Sequence, residues 1–349
     1  MIDSTQVTIT DLIIHHVGAK AKGEEVRYSK QPYQFIDNDE VGVVLKSYFF
    51  RPFKGDAYYN FYHEEEISQN PAYSLVHLFF NQQISFYDLS VQLSGLLYDS
   101  SNHAKINAGE FYLAVFDNVV VEGELVQALG IFKSENKEIF LKVYLKDQNF
   151  EVGTQEGINV RKLDKGCIIF NTESDAGYKI CSVDNLNKGN EALFWKEDFL
   201  GLKPREDNYY YTNNYLKMCR GFVDEVYNAE GNVPRSDQVD LLNRSYEFFT
   251  KKDSFKEPDF EREVIRQPEV IDAFNQYKEH FETEKSMPLM ADFDISKSAV
   301  KGEKKHFKSI IKLDKNFHVY VHGQRNYIER GYDNDKGLNF YKLFYHTED

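Results

Sequence analysis

The sequence Phe111-Tyr-Leu-Ala-Val-Phe116 opens a segment, residues 109–184, in which the pattern of side chains has a period of two. That period is typical of β-strands, and five strands are predicted. They are Phe111–Phe116, Val126–Lys133, Glu138–Leu145, Gly166–Asn171 and Tyr178–Val183. The turns between them are short and polar, as at Ser134–Lys137 and Thr172–Gly177. Such short connections favour an antiparallel meander, and since no βαβ alternation appears, a doubly wound fold is not expected.

The residues before this segment mix a strand with helices. A first strand is predicted to end at Gly18, and a helix beginning near Val41 is predicted to stop at Pro52. Ser85-Phe-Tyr-Asp88 resembles a capping box, which starts a helix of about four turns with one apolar stripe. Residues 1–200 are therefore predicted to form a body of mixed helix and antiparallel sheet.

The chain becomes helical after Trp195. Helical spacing places Tyr215, Cys219 and Phe222 on one face, and further helices are predicted over residues 236–249 and from Pro268. We expect a helical part over residues 201–285, a linker over 284–292 and a small β-rich module over 290–349. The predicted fold class is α+β.

Length and composition support this organisation. A chain of 349 residues is long for one hydrophobic core, so two or three domains are expected. No run approaches the roughly 18–20 apolar residues that cross a bilayer, and the N-terminus lacks the features of a signal peptide. We therefore expect a cytoplasmic protein without membrane contact. The three cysteines form no zinc-binding pair, and buried free thiols are expected.

The charge is unevenly distributed along the chain. The net charge is −14, but residues 297–349 hold 11 Lys and Arg against 7 Asp and Glu, a net of +4. Within that block, residues 297–330 hold nine basic and three acidic residues, a net of +6. Because salt screens fields beyond roughly 10 Å, a polyanion responds to this local patch more than to the total.

The basic block contains a predicted hairpin with its turn at Asp314-Lys-Asn316. Strand alternation separates an apolar face from a face that carries cations and an aromatic ring, a combination suited to phosphates and bases. The candidate nucleic-acid-binding residues are Lys301, Lys304, Lys305, Lys308, Lys312, His318, Tyr320, His322, Arg325 and Arg330. The alternative is a solvated strand face whose lysines protect a sheet edge.

Catalytic patterns are weaker. Asp117 with Glu135 and Lys137 has the residue types of the metal-dependent nucleases, but Glu135 and Lys137 fall at a predicted turn. His63-Glu-Glu-Glu66 could ligate a metal, although a solvated acidic turn is the better interpretation. No hydrolase or phosphate-loop motif occurs. The sequence therefore predicts no catalytic residue, no metal site and no cofactor.

Several segments resemble the bacterial NdpA-type (YejK-like) nucleoid-associated proteins, in order along nearly the whole chain. They are Tyr59-Asn-Phe-Tyr-His-Glu64, Gly130-Ile-Phe-Lys-Ser-Glu-Asn-Lys137, Lys162-Leu-Asp-Lys-Gly-Cys-Ile-Ile-Phe-Asn-Thr172, Trp195-Lys-Glu-Asp-Phe199, Pro204-Arg-Glu-Asp207, Asp237-Gln-Val-Asp-Leu-Leu-Asn-Arg244, Gln267-Pro-Glu-Val270 and Phe307-Lys-Ser-Ile-Ile-Lys-Leu-Asp-Lys-Asn-Phe-His-Val-Tyr-Val-His-Gly323. The resemblance implies association with the nucleoid and binding of DNA, and it leaves single-stranded DNA and RNA open as further ligands. It supplies no catalytic set and no base-reading motif.

The function expected from the sequence is thus non-enzymatic binding of nucleic acid through phosphates, with little sequence specificity. One alternative is a protein-interaction scaffold that docks on a DNA-bound enzyme, and a weaker one is a metal-dependent nuclease. The sequence leaves open whether a protein partner binds at the nucleoid and whether the chain forms a homodimer.

Overall fold

The computed structural model describes residues 2–35, 40–53, 57–186, 194–307, 310–320 and 327–347. The chain divides into two compact units, Met1–Arg205 and Glu206–Asp349. Helices and antiparallel sheets occur in both, so the predicted α+β class is confirmed. Whether residues 201–285 and 290–349 are separate modules stays a prediction.

The first unit is built on one eight-stranded sheet. Its strands follow the order β1-β4-β5-β8-β9-β3-β10, and β2 also pairs with β4. The strand bounds in chain order are β1 Ile2–Asp3, β2 Thr8–Val17, β3 Tyr59–Phe61, β4 Gly109–Val121, β5 Glu124–Ser134, β6 Glu138–Lys146, β7 Asn149–Gly157, β8 Lys165–Phe170, β9 Lys179–Asp184 and β10 Leu202–Pro204. The helices are α1 Glu40–Phe50, α2 Pro71–Phe80 and α3 Phe86–Ser100, and a π-helical turn covers Phe194–Phe199.

Strand β4 is buried on both faces, which explains why Phe111–Phe116 is apolar without a break. Phe111, Leu113 and Val115 join one core with α2 and α3. The alternate residues Tyr112, Ala114 and Phe116 join a second core with Tyr48, Phe49 and Phe50 of α1. Because side chains of a strand alternate between its faces, a run of apolar residues requires cover on both sides of the sheet.

The predicted meander is interrupted. All five predicted strands are present, but β6 leaves the main sheet and, among the described residues, pairs with β7 alone, in a separate ribbon. The main sheet resumes when β8 pairs with β5. Strand β7 was not predicted, since Asn149–Gly157 contains two glycines and few apolar residues.

Helix caps account for two helix starts in this unit. Ser85 Oγ accepts from the amide of Asp88 at 3.1 Å, so the predicted capping interaction at the start of α3 is confirmed. Helix α2 was missed, although Asn70 caps it by accepting from the amide of Tyr73 at 2.9 Å, with Pro71 as its first residue.

The second unit packs helices around an aromatic core. Its helices are α4 Asn208–Glu225, α5 Arg235–Lys251, α6 Glu257–Phe260, α7 Pro268–Lys285 and α8 Lys297–Glu303. Three two-stranded sheets pair β11 Ser254–Lys256 with β12 Asp292–Asp294, β13 Ile310–Leu313 with β14 Phe317–Tyr320, and β15 Ile328–Asp333 with β16 Leu338–Leu343. Leu289 and Phe293 belong to the same core as α4, α5 and α7, so the predicted linker region is packed.

No helix in the described ranges is long and apolar enough to cross a membrane.

A buried histidine makes the stability of the first unit depend on pH. His15 Nδ1 accepts from the amide of Ser29 at 3.0 Å, and its Nε2 lies 2.9 Å from Ser90 Oγ. Since Nδ1 is an acceptor, the ring is neutral with its proton on Nε2, and burial lowers the pKa of His15 below its usual 6.5. The unfolded chain therefore takes up a proton first as the pH falls.

We predict that His15 stabilises the fold fully above about pH 6.5 and that this contribution is lost as the pH falls below that value. His15→Gln can still accept from Ser29 and donate to Ser90, but it does not titrate. In urea unfolding followed by fluorescence of Trp195, the chain's one tryptophan, the midpoint of the parent should drop more between pH 7 and pH 5 than that of the variant. Parallel curves for the two proteins would contradict the prediction.

Candidate nucleic-acid interface

Helix α5 supports the region that contains the candidate residues. Its Val239 packs against Ile311 of the β13–β14 ribbon, and its Tyr246 ring lies 5.5 Å from the Phe307 ring. These two positions are seven residues apart, which is about two turns and roughly 10 Å along the helix. Phe307, at the end of the turn after Lys297–Glu303, and Ile311 of the ribbon therefore both contact the same face of α5.

The β13–β14 ribbon packs part of its apolar face against helix α5, whereas Phe317 on that face is 63% exposed. Its register pairs Ile311 with Val319 and Leu313 with Phe317, and Ile311 is buried against Val239. The same register places Lys312 opposite His318, with Tyr320 on the same face, and all three side chains are exposed. For these residues the pairing agrees with the alternation expected from the sequence.

A second group of candidates lies on α8 and the turn after it. Ser296 caps α8 by accepting from the amide of Ala299, and Ala299 and Val300 are buried, so the opposite side of the helix faces solvent. Lys301, Lys304 and Lys305 are exposed there.

The lysines of α8 and of the turn after it differ in whether they form ion pairs. Lys297 forms an ion pair with Asp253 at 3.1 Å, whereas in the described part of the chain no ion pair holds Lys301, Lys304 or Lys305. The latter three are therefore available to an anion.

The remaining candidates lie partly beyond what the structure describes. Arg330 is exposed on β15, opposite Tyr341. Lys308, His322 and Arg325 lie outside the described residues. The assignment of all ten residues to nucleic acid stays a prediction.

Lys312 and Arg330 line one cleft of about 940 Å³ in the second unit. The same cleft contains the acidic residues Asp224, Glu230 and Asp314 and the apolar rings Phe317 and Phe340. Its lining is mixed in charge, so this concavity is less suited to a phosphate backbone than the exposed faces of α8 and the ribbon.

The nuclease constellation is not assembled. Phe116, next to Asp117, pairs with Ala128, whereas Ser134, next to Glu135, pairs with Glu110 at the other end of β4. Six residues of extended strand separate these positions by roughly 20 Å. Asp117 and Glu135 therefore do not share a site, and Asp117 accepts instead from Gln127 at 2.9 Å.

Glu135 belongs to a buried charge cluster that sequence reasoning missed. Its carboxylate lies 3.1 Å from Lys133 Nζ and 3.6 Å from Lys165 Nζ, and Lys165 also pairs with Asp184 at 3.2 Å. The side chains of Lys133 and Lys165 are fully buried, and burial lowers the pKa of Lys133. The sequence did contain a sign of this buried cluster, because lysines occur inside otherwise apolar strands, as in Gly130-Ile-Phe-Lys133.

Hydrogen bonds complete this cluster. Asp164 Oδ2 accepts from the backbone amides of Glu135 and Asn136 at 2.7 and 2.9 Å, and Lys133 Nζ donates to the carbonyl of Asn107 at 2.7 Å. The charges therefore compensate one another and hold the turn after β5. This arrangement is structural rather than an open catalytic centre.

The acidic turn at His63–Glu66 is likewise held by local contacts. His63 Nδ1 accepts from the amide of Glu65, and Glu65 accepts from Gln69 at 2.6 Å. Within the described ranges, no group of three or more His, Cys, Asp or Glu side chains is placed to hold a metal ion.

These observations define an acidic α+β protein that exposes a basic face on its second unit. A family model described as "Nucleoid-associated protein YejK" matches residues 13–338, nearly the whole chain. The protein therefore belongs to this family of nucleoid-associated proteins, and the resemblance seen in the sequence is confirmed. Comparison with curated proteins and with solved structures found no match.

The buried cluster gives a stability prediction that separates two neighbouring residues. Glu135→Ala should cost about 3–5 kcal/mol of unfolding free energy, because it leaves two buried lysines without their shared carboxylate. Lys137→Ala should cost no more than about 1 kcal/mol, since its pair with Glu110 at 2.9 Å is partly exposed. Urea unfolding read from Trp195 fluorescence measures both, and equal losses in the two variants would show that the cluster does not stabilise the fold.

Proposed function

We propose that this protein associates with the nucleoid and binds DNA through phosphate contacts, with little sequence preference. The observation that carries the proposal is the set of exposed cations on the second unit, Lys301, Lys304, Lys305 and Lys312, which no ion pair neutralises in the described part of the chain. They lie in a segment of net charge +6 inside a chain of net charge −14. Family membership supports the same function.

The physical chemistry favours backbone contact over base reading. Lysine is a flexible point charge that attracts a phosphate without fixing its orientation, whereas base recognition uses planar donor pairs in a groove. Tyr320, with 62% of its surface exposed beside Lys312 and His318, adds a ring on which an unpaired base can stack. Single-stranded DNA and RNA are therefore further candidate ligands. The acidic remainder of the chain would limit how closely copies of the protein coat DNA.

A second candidate is docking on a DNA-bound protein. The cleft lined by Lys312 and Arg330 favours this reading, because it combines both signs of charge with exposed aromatic rings, as protein interfaces do. In that case the basic segment would meet an acidic protein surface rather than phosphates.

We further propose that the chain is not an enzyme. The separation of Asp117 from Glu135 and the internal pairing of Glu135 support this proposal, and they weigh against the nuclease alternative.

The direct-binding proposal predicts a charge-reversal effect. Lys304→Glu with Lys312→Glu should weaken binding to duplex DNA by about tenfold or more, because each change replaces an attraction with a repulsion. The slope of log affinity against log salt should become shallower by about 2, one unit for each lost phosphate contact. Fluorescence anisotropy with a labelled duplex across a salt series measures both quantities.

A matched control reverses Lys22 and Lys30, two exposed lysines of the first unit, for the same change in net charge. This control should bind almost as well as the parent. If the Lys304/Lys312 variant keeps its circular dichroism spectrum and binds DNA like the parent, direct contact through this face is wrong and docking is favoured.

The exposed ring predicts a difference between single and double strands. Tyr320→Ala should lose about 1–3 kcal/mol of binding to single-stranded DNA if the ring stacks on a base, and much less on duplex. Tyr62→Ala is a suitable control, since that ring is 46% exposed on the first unit. Equal losses for Tyr320→Ala on both kinds of DNA would argue against stacking.

A further inference from the structure

The ribbon formed by β6 and β7 is exposed to solvent along most of its length. Each strand has nine residues, so the ribbon is on the order of 30 Å long. Asp147 and Gln148 close it with positive φ angles of 48° and 65°, as a two-residue type I′ turn requires. In the described residues, β6 and β7 pair with each other and with no other strand.

One face of this ribbon is apolar and open to solvent. The register places Ile139, Leu141, Val143, Leu145, Phe150 and Val152 on the same face, which we term the ribbon's apolar face. Between 62% and 78% of the surface of each of these side chains is exposed. The polar residues Thr154 and Glu156 lie at the end of this face that is nearer the main sheet.

The opposite face of the ribbon is satisfied by its own contacts. A Cβ built on Gly157 would lie 3.4 Å from the Phe140 ring, and one built on Gly153 would lie 3.6 Å from the Tyr144 ring, so both rings cover glycines of β7. The Tyr144 hydroxyl donates to Glu151 at 3.1 Å, and Lys146 pairs with Glu151 at 3.4 Å. The opposite face is thus partly covered by contacts within the ribbon, whereas the large side chains of the apolar face are open to solvent.

An apolar face of this size is unusual on a monomer. Six large apolar side chains at such exposure present on the order of 600–700 Å², above the 300–600 Å² of the largest patch on a typical monomer. A two-stranded ribbon is also only marginally stable when nothing covers it. The ribbon's apolar face therefore has the size and composition of a surface that another protein covers.

We propose that the ribbon's apolar face packs against the same face of a second copy of this chain, which makes the protein a homodimer. The contact is a two-layer sandwich of two ribbons related by a two-fold axis. In such a contact each copy presents the same residues to the other, as the symmetry of most homodimers requires.

The charge and shape of the face favour a second copy as its occupant. Residues 138–157 hold two lysines against four acidic residues, a net of −2, so the ribbon does not attract nucleic acid. The occupant must be apolar and flat, and the face itself has both properties. With the two-fold axis near the cross-strand pair Val143 and Val152, the smaller side chains meet at the centre, and Phe150 at the tip lies toward Ile139 of the partner.

The area is sufficient for a dimer. Two such faces would together bury roughly 1,200–1,400 Å², within the range of about 1,200–2,000 Å² for specific and stable interfaces. Because the contact is apolar, it should persist at salt concentrations that abolish phosphate contacts. This property distinguishes it from association through bound DNA.

Sedimentation equilibrium of the full chain at micromolar concentration and high salt tests the proposal. The parent should have twice the 40.9 kDa mass of one chain, and Leu141→Glu with Leu145→Glu should sediment as the monomer. A control with the same change in net charge, Lys142→Gln with Gln155→Glu, alters the opposite face of the same ribbon and should remain dimeric. Circular dichroism and Trp195 fluorescence verify that each variant is folded.

A second measurement locates the contact. The native cysteines Cys167, Cys181 and Cys219 are buried, whereas Val143→Cys adds a new thiol that meets its own copy across the proposed two-fold axis. Mild oxidation with a copper catalyst should join this variant into a covalent dimer through a disulfide between the two introduced thiols, and Gln155→Cys should yield none. A monomeric parent, a folded Leu141/Leu145 variant that remains dimeric, or equal cross-linking of the two cysteine variants would each overturn the proposal. A monomeric parent would assign the face to a different protein.

Discussion

The first unit depends on the burial of β4 on both of its faces. An alternation of buried side chains, Phe111, Leu113 and Val115 on one side and Tyr112, Ala114 and Phe116 on the other, requires a separate layer of cover on each. Helix α1 supplies one layer, where the Phe49 ring stacks on Phe132 with centroids 4.1 Å apart. Gly130 makes this packing possible, because a Cβ there would meet the rings of Phe116 and Phe132 at 2.4–2.5 Å.

The same sheet contains charges that are costly to bury. Lys133 and Lys165 have no exposed side-chain surface, and isolated charges in such a place would be strongly destabilising. Glu135, Asp184 and the carbonyl of Asn107 compensate them at distances of 2.7–3.6 Å. In the sequence Glu135 and Lys137 have the residue types of a catalytic pair, yet in the structure Glu135 pairs with Lys133 and Lys137 pairs with Glu110. Residue types alone do not distinguish these two uses.

The two surfaces argued to bind other molecules rely on different forces. The cations of α8, of the turn after it and of the β13–β14 ribbon would act through charge, which salt weakens, and they stand out because the rest of the chain is acidic. The ribbon's apolar face of β6 and β7 has no such charge and would act by excluding water, an effect that salt does not weaken. A dimer joined through the ribbons would carry two basic faces, and binding of both to one DNA would raise the overall affinity through effective concentration.

The sequence by itself determined the local features. Alternation located five of the six strands described within residues 109–184, Ser85 and Pro268 marked helix starts, and counting charges found the basic segment. These features depend on neighbours a few residues away, so they can be predicted from spacing. Only the tertiary structure decided which strands pair, and hence that Glu138–Lys146 leaves the main sheet with Asn149–Gly157 as its partner. It also decided that Lys133 is buried and Lys312 is exposed, because burial depends on what distant segments cover a side chain, and alternation specifies a face without specifying its cover.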